Sequence, residues 1–119
     1  MNMARDDFAY HRPATLADAL RLKADCPQAR FIAGGTDVMV RLREGKLPPA
    51  LISLRAVPEL RDIDVSASGV RIGAAVTISE LLASAALSLS LPLLAQAARR
   101  LGSVQIRNAA TIGGNLCNA

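Results

Sequence analysis

The sequence has no tryptophan, one tyrosine and two phenylalanines, so aromatic residues fill 3% of its 119 positions. A core built from it rests on Leu, Ile, Val and Ala, and little is left to stack on bases or on a flavin ring. Histidine is nearly absent too: His11 stands alone, between Tyr10 and Arg12, and reads as an exposed strand-end residue. The two cysteines, Cys26 and Cys117, lie far apart with no CxxC pair, which excludes a zinc site built by this chain. Neither GxGxxG nor GxxxxGK[ST] occurs. No residue suggests itself as an acid, base or nucleophile. The opening Met-Asn-Met-Ala-Arg-Asp-Asp is not a secretory signal. The expectation is a cytoplasmic protein with reduced thiols, Cys117 being the better placed of the two for redox chemistry. Long apolar runs are also missing. Leu81 to Ala98 carries no charge, but Ser84, Ser88, Ser90, Pro92 and Gln96 interrupt it, so two short buried helices separated at Pro92 are expected and no membrane span.

Charge is close to balanced, with 14 Lys+Arg against 10 Asp+Glu and a formal net charge of +4. The basic residues are scattered from Arg5 to Arg107, and Arg99-Arg100 is the one adjacent pair. That is a solvated surface, not the clustered face that nucleic acid requires. What the chain does have is 51% hydrophobic and 20% charged residues, the profile of an ordinary folded domain.

Along the chain, Phe8 to His11 reads as a short strand. Thr15 caps a helix that presents Leu16, Ala19 and Leu20 on one face and ends at Cys26-Pro27. A buried strand, Ala29 to Ala33, feeds Gly34-Gly35. A short helix or turn follows from Thr36 to Leu42, with Gly45 as its stop. After Pro48-Pro49, Leu51 to Leu54 is the next strand. Strand, helix, strand, turn, strand predicts a small sheet with parallel pairing. The pattern then changes. Ile63 and Val65, then Val70, Ile72 and Ala74, alternate about Ala67-Ser68-Gly69, predicting a hairpin with a three-residue loop. Thr77 and Glu80 have capping-box spacing before a helix at Ile78. Pro92 opens another helix, which runs to Leu101 and stops at Gly102; its Leu93-Leu94 and Ala97-Ala98 read as core. Ser103 to Ala119 shows no clear period.

The feature with chemical content is a pair of diglycine segments, Ala33-Gly34-Gly35-Thr36-Asp37 and Thr111-Ile112-Gly113-Gly114-Asn115. Each has Gly-Gly accompanied by a threonine and a short polar residue. Without Cβ atoms, successive amides can approach an anion closely, and Thr and Asn add donors. Two such segments could cradle a pyrophosphate; each alone is equally a structural turn. Asp37 has two readings, a ribose partner or a cap on the following turn. Arg107 also has two, facing phosphate or a surface carboxylate.

Phe31-Ile32-Ala33-Gly34-Gly35-Thr36-Asp37 resembles the first FAD loop of the flavoprotein (medium) subunit of molybdenum hydroxylases, the group of xanthine dehydrogenase, carbon monoxide dehydrogenase and 4-hydroxybenzoyl-CoA reductase. Gln105 to Leu116, containing Arg107-Asn108 and Thr111-Ile112-Gly113-Gly114-Asn115, is similar to their second loop. Ile72-Gly73-Ala74 with Thr77-Ile78, and Pro92-Leu93-Leu94 with Ala97-Ala98, match between the loops, so the likeness covers nearly the whole chain in order.

The resemblance implies an α+β chain with the FAD-binding fold of the vanillyl-alcohol oxidase type. A small α/β subdomain over residues 1–55 would carry the first loop. A partial antiparallel-sheet subdomain over 56–119 would carry the second. It places Ile32, Ala33, Gly34, Gly35, Thr36, Asp37 and Val38 along the FAD pyrophosphate. It opposes them with Thr111, Ile112, Gly113, Gly114 and Asn115, and lines the cleft with Leu101 and Gly102. It further implies an oxidoreductase subunit that passes electrons from iron–sulfur clusters through FAD to an external acceptor. The implied partners are an iron–sulfur subunit and a molybdopterin-binding large subunit, with no metal held by this chain. The family's second loop continues into a Ser-Pro-containing segment and a further domain, whereas this sequence stops at Asn118-Ala119. A fragment or truncated product, inactive alone, is therefore expected. On the residues alone two other classes stay open: an anion- or nucleic-acid-binding module, and a non-catalytic docking scaffold.

Overall fold

The computed structural model describes residues 9–34, 45 and 48–118. The expected turn or helix over 36–42 therefore lies outside the described residues, as do Gly35, Thr36, Asp37 and Val38.

Three strands, β1 (Ala9–His11), β2 (Arg30–Ile32) and β3 (Ala50–Ser53), form a sheet in the order β1-β3-β2. Both pairings are parallel, as the alternating pattern predicts. All four residues of central β3 are buried, which fits its unbroken Ala-Leu-Ile-Ser run. Helix α1 (Leu16–Asp25) connects β1 to β2. Thr15 Oγ1 accepts from the Asp18 amide at 3.1 Å. The packed stripe of α1 is Ala19 and Leu22, continued by the C-cap residue Cys26. Leu20, expected on that face, is exposed instead. Ala19, Ala29, Ala50 and Ile52 form the buried centre of this part.

A second apolar cluster gathers Val76, Ile78, Leu81, Leu87, Ala98 and Ala110. The hairpin β4 (Ile63–Ser66) and β5 (Gly69–Ile72) turns Ile63, Val65, Val70 and Ile72 toward it. Its loop has two residues, Ala67 and Ser68, not three, because Ser66 pairs with Gly69. Neither loop residue has positive φ; Gly69 takes that conformation, at +149°.

Three helices, not two, cover the uncharged stretch: α2 (Ile78–Ala83), α3 (Ala85–Ser90) and α4 (Pro92–Arg99). The extra break falls at Ser84, which ends α2 and caps α3 by accepting from the Leu87 amide. Pro92 sits in the first turn of α4, as expected. These helices bury one side each. Leu81, Leu87, Ala95 and Ala98 point inward, while Leu89 and Leu93 are 85% and 79% exposed and Ala97 is exposed, contrary to the core reading. Helix α4 ends at Arg99, short of Leu101. The stretch without visible period holds two more helices, α5 (Val104–Ala109) and α6 (Ile112–Asn118). Ser103 caps α5 by accepting from the Ile106 amide at 3.2 Å. Among the described residues no helix is long and apolar enough to cross a membrane.

Candidate functional site

The second diglycine segment hangs on a short extended stretch before α2. Ile78 N–H donates to Ala110 O at 2.9 Å and Ile112 N–H to Val76 O at 3.0 Å, with Thr77 and Thr111 forming an antiparallel bridge. Both threonines are buried. Thr77 Oγ1 caps α2 by accepting from the Glu80 amide at 3.1 Å, and donates to Glu80 Oε1. The capping-box pair is therefore present, but the Glu80 carboxylate meets the Thr77 hydroxyl and Arg61 rather than the Thr77 amide.

Upstream, the same stretch is held by the backbone of Leu60 and Arg61. Ala75 N–H donates to Leu60 O at 2.9 Å, and a Cβ on Gly73 would lie 2.2 Å from Leu60 O. Only glycine fits there.

Gly34 of the first diglycine segment reaches the residues just before the second. A Cβ on Gly34 would lie 2.2 Å from Ala109 O and 3.0 Å from Ala110 Cα, immediately before Thr111. Gly34 is thus a point of backbone-to-backbone contact between segments remote in sequence. Ile32 is tied to the sheet, its carbonyl accepting from the Leu54 amide at 2.9 Å. Ile32, Ala33 and Gly34 are all half-buried at this junction.

The second segment is a helical turn rather than an open loop, with Gly113 and Gly114 inside α6. Its amides are already engaged. Ile112 donates to Val76 O, Gly113 to Ala74 O at 2.9 Å, Gly114 to Thr111 Oγ1 at 3.1 Å and Asn115 to Thr111 O at 3.1 Å. Gly113 is required by close packing: its Cβ would lie 2.7 Å from Ala74 O and 2.8 Å from Ala74 Cβ. Among the segment's engaged groups, the Asn115 carboxamide donates to Thr111 O at 3.4 Å and is half-buried.

Leu101 and Gly102 lie at the other end of α5. Leu101 packs against the second apolar cluster. Gly102 has φ +53°, and the Ile106 side chain closes over its Cα, 2.8 Å from where a Cβ would stand. Arg107 turns back on its own chain. Its Nη1 donates to Arg99 O, Leu101 O and Gly102 O at 3.2–3.3 Å, closing the end of α4. Asn108 is also bound locally, its Oδ1 accepting from the Ser79 hydroxyl.

Beyond Glu80 the sequence has no acidic residue, and Arg99, Arg100 and Arg107 are its charged groups. Cys26 is half-buried and Cys117 exposed, and neither is bridged. Among the described residues no group of three or more His, Cys, Asp or Glu is placed to hold a metal ion. Sequence reasoning missed Gly73 and the small pair Ala109-Ala110 as parts of this arrangement. The signal for the second was available, since alanines beside a glycine-rich segment permit close backbone approach.

Residues 6–119 match the family described as the FAD binding domain in molybdopterin dehydrogenase. The chain belongs to this family. It is 45% identical to the xanthine dehydrogenase FAD-binding subunit of Escherichia coli O157:H7, over 94% of this chain and 39% of that protein. It is 37% identical to the carbon monoxide dehydrogenase medium chain of Hydrogenophaga pseudoflava, over 93% of this chain and 39% of the relative. Among solved structures, the reconstituted CO dehydrogenase from Oligotropha carboxidovorans superposes with a TM-score of 0.89 at 34% identity, covering 93% of this chain and 40% of that one. The chain thus spans about two-fifths of the length of these family members. The mixed helix-and-sheet architecture agrees with theirs. The family is described as FAD-binding; in this chain Gly34 brings the end of β2 against Ala109 and Ala110, and Asn115 sets a polar side chain in α6.

Proposed function

We propose that this chain forms the FAD-holding part of a molybdenum-hydroxylase flavoprotein subunit, with the fold of the vanillyl-alcohol oxidase type. The observation that carries the reading is the contact of Gly34 with Ala109 and Ala110, which brings the first diglycine segment to the residues immediately before the second. Two separate apolar clusters, one within residues 9–54 and one within 63–112, support a subdomain division at 55/56. In this reading Ile32, Ala33 and Gly34 enter the pyrophosphate site from the end of β2, and Gly35, Thr36, Asp37 and Val38 continue along it. Thr111, Ile112, Gly113 and Gly114 shape the opposing wall, and the Asn115 carboxamide is its polar contact. Leu101 and Gly102 close the cleft. The protein positions the cofactor and contributes no acid, base or nucleophile. When bound, FAD supplies the redox chemistry, taking electrons from iron–sulfur clusters and handing them to an external acceptor. The partners are an iron–sulfur subunit and a molybdopterin-binding large subunit, in the cytoplasm.

The test is to purify the protein as expressed from its gene, with any subunits that accompany it, and denature it. Release of FAD in about one-to-one ratio to the flavoprotein subunit is expected, and AMP, ADP and FAD should compete for the site while DNA does not. A colourless, flavin-free preparation, or displacement of FAD by DNA with a steep salt dependence, refutes the reading.

A further inference from the structure

Among the described residues near the candidate site, Arg107 is the arginine that turns a terminal nitrogen onto backbone carbonyls. A single terminal nitrogen shares its protons among three carbonyls, Arg99 O at 3.3 Å and Leu101 O and Gly102 O at 3.2 Å each. These carbonyls belong to the turn that ends α4, where Gly102 takes φ +53° and leaves helical geometry. The turn has no acidic side chain in sequence reach and no capping hydroxyl of its own; Ser103 is engaged in capping α5. Ile106, one residue before Arg107, covers Gly102 from the same helix. One turn of α5 thus grips the preceding turn twice, through an apolar contact and through a charged donor.

We propose that Arg107 is a positioning residue for the cofactor cleft, fixing the Leu101–Gly102 backbone rather than touching phosphate. The proposal rests on the reading of Leu101 and Gly102 as cleft residues. A guanidinium suits the task by reach: Nη1 lies one bond further from the backbone than a lysine Nζ, so a lysine ammonium falls short of the three carbonyls. A direct phosphate ligand behaves differently: its charge governs the salt dependence of binding, which falls when the charge is removed and stays when lysine keeps it.

The experiment uses the cofactor-stripped holoenzyme titrated with FAD, comparing wild type, R107K and R107A, at two salt concentrations and well below the thermal transition of each. Expected are an R107A dissociation constant raised roughly tenfold or more, an R107K value also clearly raised, an unchanged salt dependence, and an altered visible circular-dichroism band of the bound flavin. If R107A does not fold, R107K and its flavin band decide. The proposal is overturned if R107K binds like wild type, if R107A does, or if R107A loses affinity together with its salt dependence. Failure of the FAD reading itself looks different, because wild-type protein would then take up no flavin.

Discussion

Replacing Gly34 by alanine tests the junction on which the site depends. The added Cβ would stand 2.2 Å from Ala109 O and 2.9 Å from Ala109 C, roughly 1 Å short of ordinary contact. Neither side can yield cheaply. Ala110 N–H donates to Ile106 O at 2.7 Å, and Ala110 O accepts from the Ile78 amide at 2.9 Å, so the Ala109–Ala110 backbone is held from two directions. On the other side, Ile32 is bound to β3 through Leu54. The overlap must be relieved by separating the two diglycine segments. Overpacking of this kind costs about 1–3 kcal/mol, and backbone-on-backbone contact puts Gly34→Ala toward the upper end. Because the separated segments are the two walls of the proposed site, FAD affinity should fall by at least about tenfold, the equivalent of ~1.4 kcal/mol. Urea unfolding and fluorescence titration of the cofactor-free protein measure the two effects. Val70→Ala, on the hairpin away from the junction, serves as the control: it should lose roughly 1–2 kcal/mol of stability and keep its FAD affinity. A Gly34→Ala protein with wild-type stability and wild-type affinity would show that the segments do not meet as described.

Thr77→Val removes the hydroxyl that caps α2 and also donates to Glu80; it should cost about 1–2 kcal/mol in chemical denaturation, and Thr77→Ser should recover most of it. Leu81→Ala, at a site 1% exposed, should cost roughly 2–5 kcal/mol, whereas Leu93→Ser, at 79% exposure, should stay within about 0.5 kcal/mol of wild type. Equal losses for the two leucine variants would contradict the assignment of inner and outer helix faces.

The parallel sheet, α1 with its Thr15 cap, the hairpin and the start of α2 were legible because each has a local signature: alternation, a capping hydroxyl, a turn between apolar runs. The helix faces were less so. In α1 the sequence offered Leu16, Ala19 and Leu20 as one stripe, but the sheet selects Ala19, Leu22 and Cys26. A ten-residue helix with several small apolar residues permits either stripe, and packing against β3 decides. The same holds for α3 and α4, where leucine and alanine are so frequent that composition cannot say which leucine is inside. Helices α5 and α6 were invisible because fewer than two turns each cannot establish a period, and two glycines in α6 argue locally against it.

The two diglycine segments look alike in sequence and differ in physics. Both place Gly-Gly beside threonine, which suggested two equivalent nests of amides. In α6 the amides of residues 112–115 all donate within the protein, and Gly113 serves to admit Ala74. Glycine there answers a steric demand, with Thr111 acting as an internal acceptor for the Gly114 amide. Gly34 answers another steric demand, against Ala109. Both glycines therefore bring backbone to backbone, Gly34 against Ala109 and Gly113 against Ala74. A side chain at either position would displace the backbone it meets, so both substitutions are expected to act on FAD affinity through geometry.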